Sequence, residues 1–247
     1  MEVHQHTNTE RRKWTHYLWE FFMLFLAVFC GFIAENQREH FVEHRREKQF
    51  IKSYIEDLQT DLKTLSLQIP LFKDKINKID TLIYRLSGVS SKTGSNGTYL
   101  YFWHASWFYK FFPVDRTMQQ LKNAGGMRLI RNDRAADSIL LYDRETRFIQ
   151  IHLETSLYKN QRDLQDTENK LYDFSLIPGW GHGKSRSTLQ YPVTAPLLSY
   201  DPSLLREYKN ELINAQRDYA NQFNYLSNLK LKAENLIVTL RKEYNTK

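Results

Sequence analysis

The chain has 247 residues, of which 41% are hydrophobic and 26% are charged, proportions that are typical of a folded protein and exclude wholesale disorder. Its 9 Gly and 6 Pro are few for this length and favour long regular elements over a loop-rich all-β fold. The single cysteine, Cys30, excludes an intramolecular disulfide. The formal net charge is +7, but acidic and basic residues interleave as on solvated helix faces, so we expect lipid headgroups rather than nucleic acid as an anionic partner.

An apolar stretch at residues 17–34 follows a short basic tail, residues 1–16. At about 1.5 Å per residue a helix over this stretch is about 27 Å long, enough to cross the hydrocarbon core of a bilayer. A cleaved signal peptide is disfavoured because the stretch is long and ends without a small-residue cleavage pattern. A lipoprotein signal is disfavoured because Phe29 precedes Cys30. The remaining alternative is a buried helix of a soluble protein, and we predict an uncleaved, single-pass transmembrane helix.

The orientation of this helix is not decided by charge, because basic residues flank both of its ends. They are Arg11, Arg12 and Lys13 before it, and Arg38, Arg45, Arg46 and Lys48 after it. We favour a cytoplasmic N-terminus, with residues 35–247 forming a soluble domain on the other side of the membrane.

One face of the predicted transmembrane helix combines a carboxylate with small side chains. Glu20, Ala27 and Ala34 recur every seven residues, and Gly31 lies beside them. Small side chains allow two helices to approach closely, and a carboxylate within a membrane usually faces a protein partner. The alternative is that Glu20 lies shallow enough to reach water. The pattern predicts an interface with another membrane protein or with a second copy of this chain.

After the membrane segment, apolar residues keep a 3–4 spacing that predicts a helix at about 36–87, packed as in a coiled coil or bundle. A kink is expected at Pro70. One series of apolar residues is Ile51, Leu58, Leu65, Phe72, Ile79 and Leu86. The other is Ile55, Leu62, Ile69, Ile76 and Ile83.

Two more long helices are predicted, at 133–174 and 202–245. The first follows the N-cap residue Asn132 and has an apolar stripe with one phase shift; the second follows Asp201, a cap with proline at the first helical position. Each helix has one apolar stripe, which can be buried only against the others. We therefore predict an all-α fold, in which one N-terminal transmembrane helix continues into an antiparallel bundle of long helices.

Residues 88–132 and 175–200 interrupt the helical pattern and are predicted to be loops. If the helix at 133–174 runs antiparallel to the first, the loop at 175–200 lies near the bilayer and residues 88–132 lie at the far tip. In that arrangement Trp180, Lys184 and Arg186 suit a contact with lipid headgroups.

The aromatic stretch at 99–112 is too short for a second transmembrane span. The favoured interpretation is that it fills one end of the bundle core, as large aromatics usually do. The functional alternative is an exposed patch of Trp103, Trp107, Phe108 and Phe111 that docks a protein, peptide or glycan partner.

No motif indicates catalysis with enough support. Residues 40–44 match the pattern H-x-x-E-H of some zinc peptidases, and His40 and His44 share one face of a helix. A third ligand is not identifiable, however, and the surrounding pattern is that of a solvated helix. Gly179–Lys184 lacks the spacing of a phosphate-binding loop. We expect no metal, no cofactor and no enzymatic activity.

Two blocks of sequence resemble an uncharacterised family of single-pass membrane proteins from Gram-negative bacteria, named only as a domain of unknown function. The first is the early Glu20 in an apolar run that ends at Ala34. The second has the pattern Thr-x3-Leu-x3-Gly-x3-Leu-Ile-x-Asn, here Thr117 to Asn132. The resemblance covers about forty residues and implies a membrane anchor in the bacterial envelope, but no known activity. We expect the anchor to lie in the inner membrane.

The second block also has a physical explanation as a corner between helices. Asp115 or Thr117 starts a short helix, and Gly125 is placed to end it in the left-handed conformation. Leu129 and Ile130 then enter the core before Asn132 caps the next helix.

These patterns favour a non-enzymatic, membrane-anchored bundle that acts through protein interaction, as a scaffold or assembly factor. The alternative is a membrane-anchored sensor or ligand-binding module. A membrane-tethered metallopeptidase is the third and least favoured hypothesis.

Overall fold

The computed structural model describes residues 14–123 and 125–245. These residues contain helices and no β-strand, which confirms the predicted all-α class. The helices are α1 (Trp14–Leu86), α2 (Phe102–Ala105), α3 (Arg116–Asn123), α4 (Asp133–His152), α5 (Tyr158–Leu171) and α6 (Pro202–Tyr244). A π-helical turn, Leu153–Leu157, joins α4 to α5, and short 3₁₀ turns occur at Thr98–Leu100, Gly126–Leu129, Phe174–Leu176 and Arg186–Thr188. The chain divides into two compact units, Met1–Gln49 and Phe50–Lys247.

The first unit contains the N-terminal part of α1 and, within it, the apolar stretch at residues 17–34. An 18-residue window of the helix has a mean hydropathy of 2.0, and none of that window is buried. By length and composition this helix is able to cross a membrane.

In the second unit, α1 buries the first predicted heptad series completely, since each member from Ile51 to Leu86 is at most 6% exposed. The second predicted series is displaced by one residue from the positions that are buried. Only Ile55 of that series is fully buried; Leu62, Ile69, Ile76 and Ile83 are partly buried. The second buried seam instead consists of Tyr54, Asp61, Lys75 and Leu82, with the half-buried Gln68 between them.

Polar residues in and beside this seam bind the backbone of residues 96–117. The pairs, in order, are Arg85 with the carbonyl of Asn96, Lys75 with that of His104, Gln68 with that of Lys110, and then Asp61 with the amide of Val114 and Asp57 with that of Thr117. In this order the residue numbers decrease along α1 and increase along residues 96–117, so residues 96–117 run antiparallel to α1. The prediction that residues 88–132 stay at the far tip is therefore wrong.

The returning segment also changes the direction of the next helices. Tyr142 of α4 donates a hydrogen bond to Asp61 at 2.8 Å, so α4 lies beside the earlier half of α1 in this unit. At its far end α5 is followed by Tyr172, whose ring lies 4.9 Å from that of Tyr99. α4 and α5 thus run parallel to α1, not antiparallel as expected, because the chain has already returned before α4 begins.

α6 runs antiparallel to both. Near its start, Lys209 donates to Ser87 at 3.0 Å, and near its end, Asn132 donates to Glu243 at 2.7 Å. The loop at 175–200 consequently lies at the Leu86 end of the bundle. The expected headgroup contact of this loop depended on the opposite placement and is not supported.

Helix boundaries and caps agree well with the sequence. The carboxylate of Asp201 accepts a hydrogen bond from the amide of Ser203 at 3.0 Å, and the side chain of Asn132 accepts one from Ala135 at 2.9 Å. The predicted phase shift in residues 133–174 corresponds to the π-helical turn, which inserts an extra residue and rotates the apolar stripe.

The corner before α4 is largely as predicted. α3 begins directly after Asp115, and Gly125 has φ 64°, the left-handed conformation. Ile130 is buried at 5% exposure. Leu129 is only half-buried, so the prediction that both side chains enter the core is half wrong.

Candidate functional site

A pocket of about 270 Å³ opens between the aromatic segment and the loop at 175–200, within the second unit. Its volume is close to the lower limit of small-molecule sites, which occupy about 300–1,000 Å³. The lining residues are Trp103, Trp107, Tyr109, Lys184, Ser185, Arg186 and Ser187.

Aromatic side chains form one wall of the pocket. The rings of Trp107 and Tyr109 meet edge to face, with centroids 4.4 Å apart. Trp103 stacks on Tyr191 at 6.1 Å. Trp107 and Tyr109 are exposed at 37% and 39%, whereas Phe108 between them is buried at 5% exposure.

The opposite wall is a cationic loop. Gly179, Gly181 and Gly183 have φ of 87°, 81° and 68°, which only glycine adopts readily. The loop they shape places Lys184 and Arg186 on the pocket. The guanidinium of Arg186 lies over the ring of Trp180 at 5.1 Å.

No carboxylate among the described side chains pairs directly with these two cations, although Arg186 interacts electrostatically with the buried Glu168. In the described part of the chain, neither Lys184 nor Arg186 has a carboxylate within 4.0 Å. The pocket lining itself contains no acidic residue among the described residues. The charged side chains that line the pocket are therefore both positive.

Side chains of α1, α5 and α6 hold the backbone of the aromatic wall in place. The short helix α2 ends at Ala105, and the last carbonyls of a helix have no partner within it. Lys75 of α1 donates to the carbonyl of His104, Tyr219 of α6 donates to that of Ala105 at 2.6 Å, and Gln165 of α5 donates to that of Ser106 at 3.5 Å. These bonds fix the backbone between Trp103 and Trp107.

A buried pair of ionisable groups lies beneath this backbone. Lys75 is 6% exposed and lies 4.4 Å over the ring of Tyr219; desolvation lowers its pKa well below the usual range. Glu168 is 2% exposed, and desolvation raises its pKa to about 8, although a 3.0 Å hydrogen bond from Tyr208 opposes the shift. Burial thus favours the neutral form of each group.

The predicted aromatic patch is only partly at the surface. Phe108 and Phe111 are 5% and 2% exposed, so they belong to the core and are not available to a partner. Trp107 is 37% exposed and Trp103 is half-buried, and both line the pocket. The prediction of a partner surface therefore applies to these two tryptophans alone.

The predicted membrane-helix interface lies on the first unit. Glu20, Ala27, Gly31 and Ala34 are all exposed. A side chain at Gly31 would meet no atom within 4 Å. Nε2 of His16 lies 3.0 Å from Oε1 of Glu20. Whether this face binds a partner stays a prediction.

The residues of the H-x-x-E-H pattern pair along their own helix. Nδ1 of His44 lies 3.1 Å from the carboxylate of Glu47, and Nδ1 of His40 lies 4.0 Å from that of Glu43. Over residues 14–123 and 125–245, no group of three His, Cys, Asp or Glu side chains is placed to hold a metal ion.

Four of the pocket residues stand out in the sequence, but their common location does not. Trp103 and Trp107 were assigned to one feature, and Lys184 and Arg186 to another. Their proximity depends on the parallel direction of α1 and α5, which no local pattern indicates. Lys75 and Glu168 were not predicted to be functional. The available signal was for Lys75, a charged residue that lies three positions after Phe72 on the buried side of the heptad pattern.

No protein-family model, no curated protein and no solved structure matches this chain.

Proposed function

We propose that this chain is a non-enzymatic protein of the bacterial inner membrane, anchored by one helix and acting through protein interaction, as a scaffold or assembly factor. The observation that carries the proposal is the exposure of the apolar stretch. Large apolar side chains between residues 17 and 34 are 42–71% exposed. Removing such a side chain from water is worth about 1.5–3 kcal/mol when burial is complete, so this helix is far more stable in lipid than in water.

Alkaline extraction of membranes tests the anchor. Wild-type protein is expected in the membrane pellet. The double variant Leu24→Arg/Val28→Arg places two charges near the centre of the stretch, each costing about 2.5–3.5 kcal/mol there, and is expected in the supernatant. Leu67→Arg/Leu71→Arg is the matched control, with the same spacing on exposed positions of the second unit, and is expected in the pellet. Wild-type protein in the supernatant would overturn the anchor.

The interaction part of the proposal is supported by the Glu20 face, where small side chains permit close helix packing. Its test is affinity purification of the detergent-solubilised chain with mass spectrometry. We expect a defined partner, or a second copy, to co-purify with the wild type and with Glu39→Leu, which lies outside the apolar stretch. The partner is expected to be lost from Glu20→Leu. A chain that emerges alone and monomeric in all three forms contradicts the interaction.

A second function, that of a ligand-binding module, is favoured by the pocket. A ligand that binds only the folded state raises the melting temperature. A small-molecule screen on the full chain in detergent should therefore give compounds that stabilise the wild type and do not stabilise Trp107→Ala. A screen without any such compound would remove this function.

We further propose that the N-terminus is cytoplasmic and that residues 35–247 are periplasmic. Ser66 is exposed, and Ser66→Cys in a Cys30→Ser background gives one reporter thiol. Labelling by a membrane-impermeant maleimide added to cells with a permeabilised outer membrane supports this orientation. Labelling only after the inner membrane is broken reverses it.

A further inference from the structure

The pocket is rich in hydrogen-bond donors and poor in acceptors. Its lining side chains supply two indole N–H groups, an ammonium and a guanidinium, all of which only donate. The remaining polar groups are hydroxyls. Two of them, on Ser185 and Ser187, are 2.9 Å apart and bond to each other. A ligand that fits this set presents acceptors.

This balance discriminates between classes of ligand. A neutral sugar carries many hydroxyl donors, which would find no carboxylate or amide oxygen among the lining side chains. A carboxylate or phosphate group carries acceptors only, and Lys184 and Arg186 offer it charge-assisted hydrogen bonds. The aromatic wall adds a flat apolar surface that suits a ring.

The volume limits the ligand to a single ring. An apolar cavity of about 150 Å³ binds benzene, and drug-sized ligands occupy about 300–1,000 Å³. The pocket, at about 270 Å³, lies between these values. One ring with one or two substituents fills it.

Both walls are positioned before any ligand arrives. Bonds from Lys75 and Tyr219 hold the backbone of the aromatic wall. Tyr191 donates to the carbonyl of Arg186 at 2.8 Å and stacks on Trp103, so one side chain links the cationic loop to the aromatic wall. Preorganisation of this kind lowers the entropy lost on binding.

From these observations we propose that the pocket binds a monocyclic organic anion: a flat ring packed against Trp103 and Trp107, carrying a carboxylate or phosphate that is bound by Lys184 and Arg186. This inference rests on the ligand-binding function and names its ligand class. It makes the pocket a recognition site for a free small molecule.

Isothermal titration calorimetry on the full chain in mild detergent tests the proposal with phenyl phosphate and benzoate as probes. Phenyl phosphate is expected to bind saturably, and at least about tenfold more tightly than benzyl alcohol, which lacks the anion, or inorganic phosphate, which lacks the ring. Methyl glucoside tests the neutral sugar. Equal or tighter binding of methyl glucoside, or no saturable binding of either anionic probe, overturns the proposal.

Two variants locate the binding. Arg186→Gln removes the guanidinium and is expected to weaken phenyl phosphate about tenfold or more while leaving benzyl alcohol unchanged. Trp107→Ala is expected to weaken both ring compounds, by about three- to tenfold. Tyr84→Ala, an 80% exposed aromatic that does not line the pocket, is the control and should bind as the wild type does. Circular dichroism checks that Arg186→Gln is folded. If the folded variant binds phenyl phosphate as tightly as the wild type, the proposal is overturned.

The outcomes separate this proposal from the function on which it rests. Saturable binding of neutral rings that depends on Trp107 but not on Arg186 retains a ligand-binding module and rejects the anion class. Absence of any Trp107-dependent ligand rejects both. Membrane anchoring is measured independently by alkaline extraction.

Discussion

Replacing Asp61 by alanine leaves two donors of the second unit without their acceptor. One carboxylate oxygen accepts from the amide of Val114 at 2.8 Å, and the other accepts from the hydroxyl of Tyr142 at 2.8 Å. Asp61 is 2% exposed and Tyr142 is 4% exposed. A buried donor without a partner costs about 1–3 kcal/mol, so the lost contacts destabilise the fold by about 2–6 kcal/mol.

Alanine also removes a group whose ionisation opposes folding. Desolvation raises the pKa of Asp61 from 3.8 to about 6, against the hydrogen bonds from Val114 and Tyr142. Because the folded-state pKa is the higher one, the stability that the carboxyl contributes is full below about pH 4 and is lost as pH rises through about 6. At about 1.4 kcal/mol for each pKa unit, the loss reaches about 3 kcal/mol, of which about 2 kcal/mol falls between pH 4.5 and 7.5.

The expected result is a pH-dependent penalty. Asp61→Ala should lower the melting temperature of the full chain in detergent at pH 4.5, by about 2–4 °C for each kcal/mol. The penalty should be smaller by about 5 °C at pH 7.5. The matched variant is Asp61→Asn, whose amide can accept from Val114 and donate to the Tyr142 oxygen without charge.

Asp61→Asn should therefore be as stable as the wild type at pH 4.5 and more stable at pH 7.5. If the asparagine variant is as unstable as the alanine variant at both pH values, the contacts assigned to Asp61 are not the source of its stabilisation. A penalty that does not change with pH would refute the burial argument.

Three other changes have outcomes fixed by the same contacts. Since the pKa of Glu168 is raised to about 8, the stability that this group contributes is lost as pH rises from about 4.5 through 8. The melting temperature of Glu168→Gln, measured relative to the wild type, should therefore be higher at pH 8 than at pH 5. A difference between the two proteins that is the same at both pH values would contradict the burial of Glu168. Gly125→Ala should cost about 1–2 kcal/mol because φ is 64°, and an unchanged melting temperature would contradict the left-handed corner at this residue. On α6, Leu226→Ala should cost about 2–5 kcal/mol at a site that is 0% exposed, against under about 0.5 kcal/mol for the 57% exposed Leu231→Ala; similar losses at both sites would contradict the assigned core.

The sequence was sufficient for helix positions because local physics decides them. Apolar spacing and caps such as Asp201 and Asn132 act within one turn of their own helix. The π-helical turn at Leu153–Leu157 was visible as a phase shift for the same reason.

The second seam of α1 was misassigned because a pattern of apolar residues cannot identify a polar side chain that is buried. Such a side chain is buried because it forms hydrogen bonds there. Asp61 and Lys75 are buried since each satisfies a backbone group of the returning segment. The apolar residues one position later were the better match to a heptad, yet most of them are only partly buried. Knowledge of the partner segment was needed to choose between the two registers.

The same missing partner explains the wrong helix direction. A loop of the length of residues 88–132 is compatible with a turn at the tip or with a return along the helix. The choice depends on long-range bonds such as that between Gln68 and the carbonyl of Lys110 at 3.0 Å. The pocket could not be predicted for the same reason, because its two walls come from residues about eighty positions apart in the sequence.

The placement of the apolar helix in a bilayer is the central claim, and the chain's only cysteine, Cys30, tests it directly. Cys30 is exposed on α1 within the apolar stretch, so the chain itself does not shield its thiol from water. In intact membranes opened to both faces, a water-soluble maleimide is expected to leave Cys30 unlabelled, to label Ser66→Cys in a Cys30→Ser background, and to label both after denaturation in SDS. Labelling of Cys30 in the membranes at the rate of the Ser66→Cys reporter would contradict a transmembrane helix at residues 17–34.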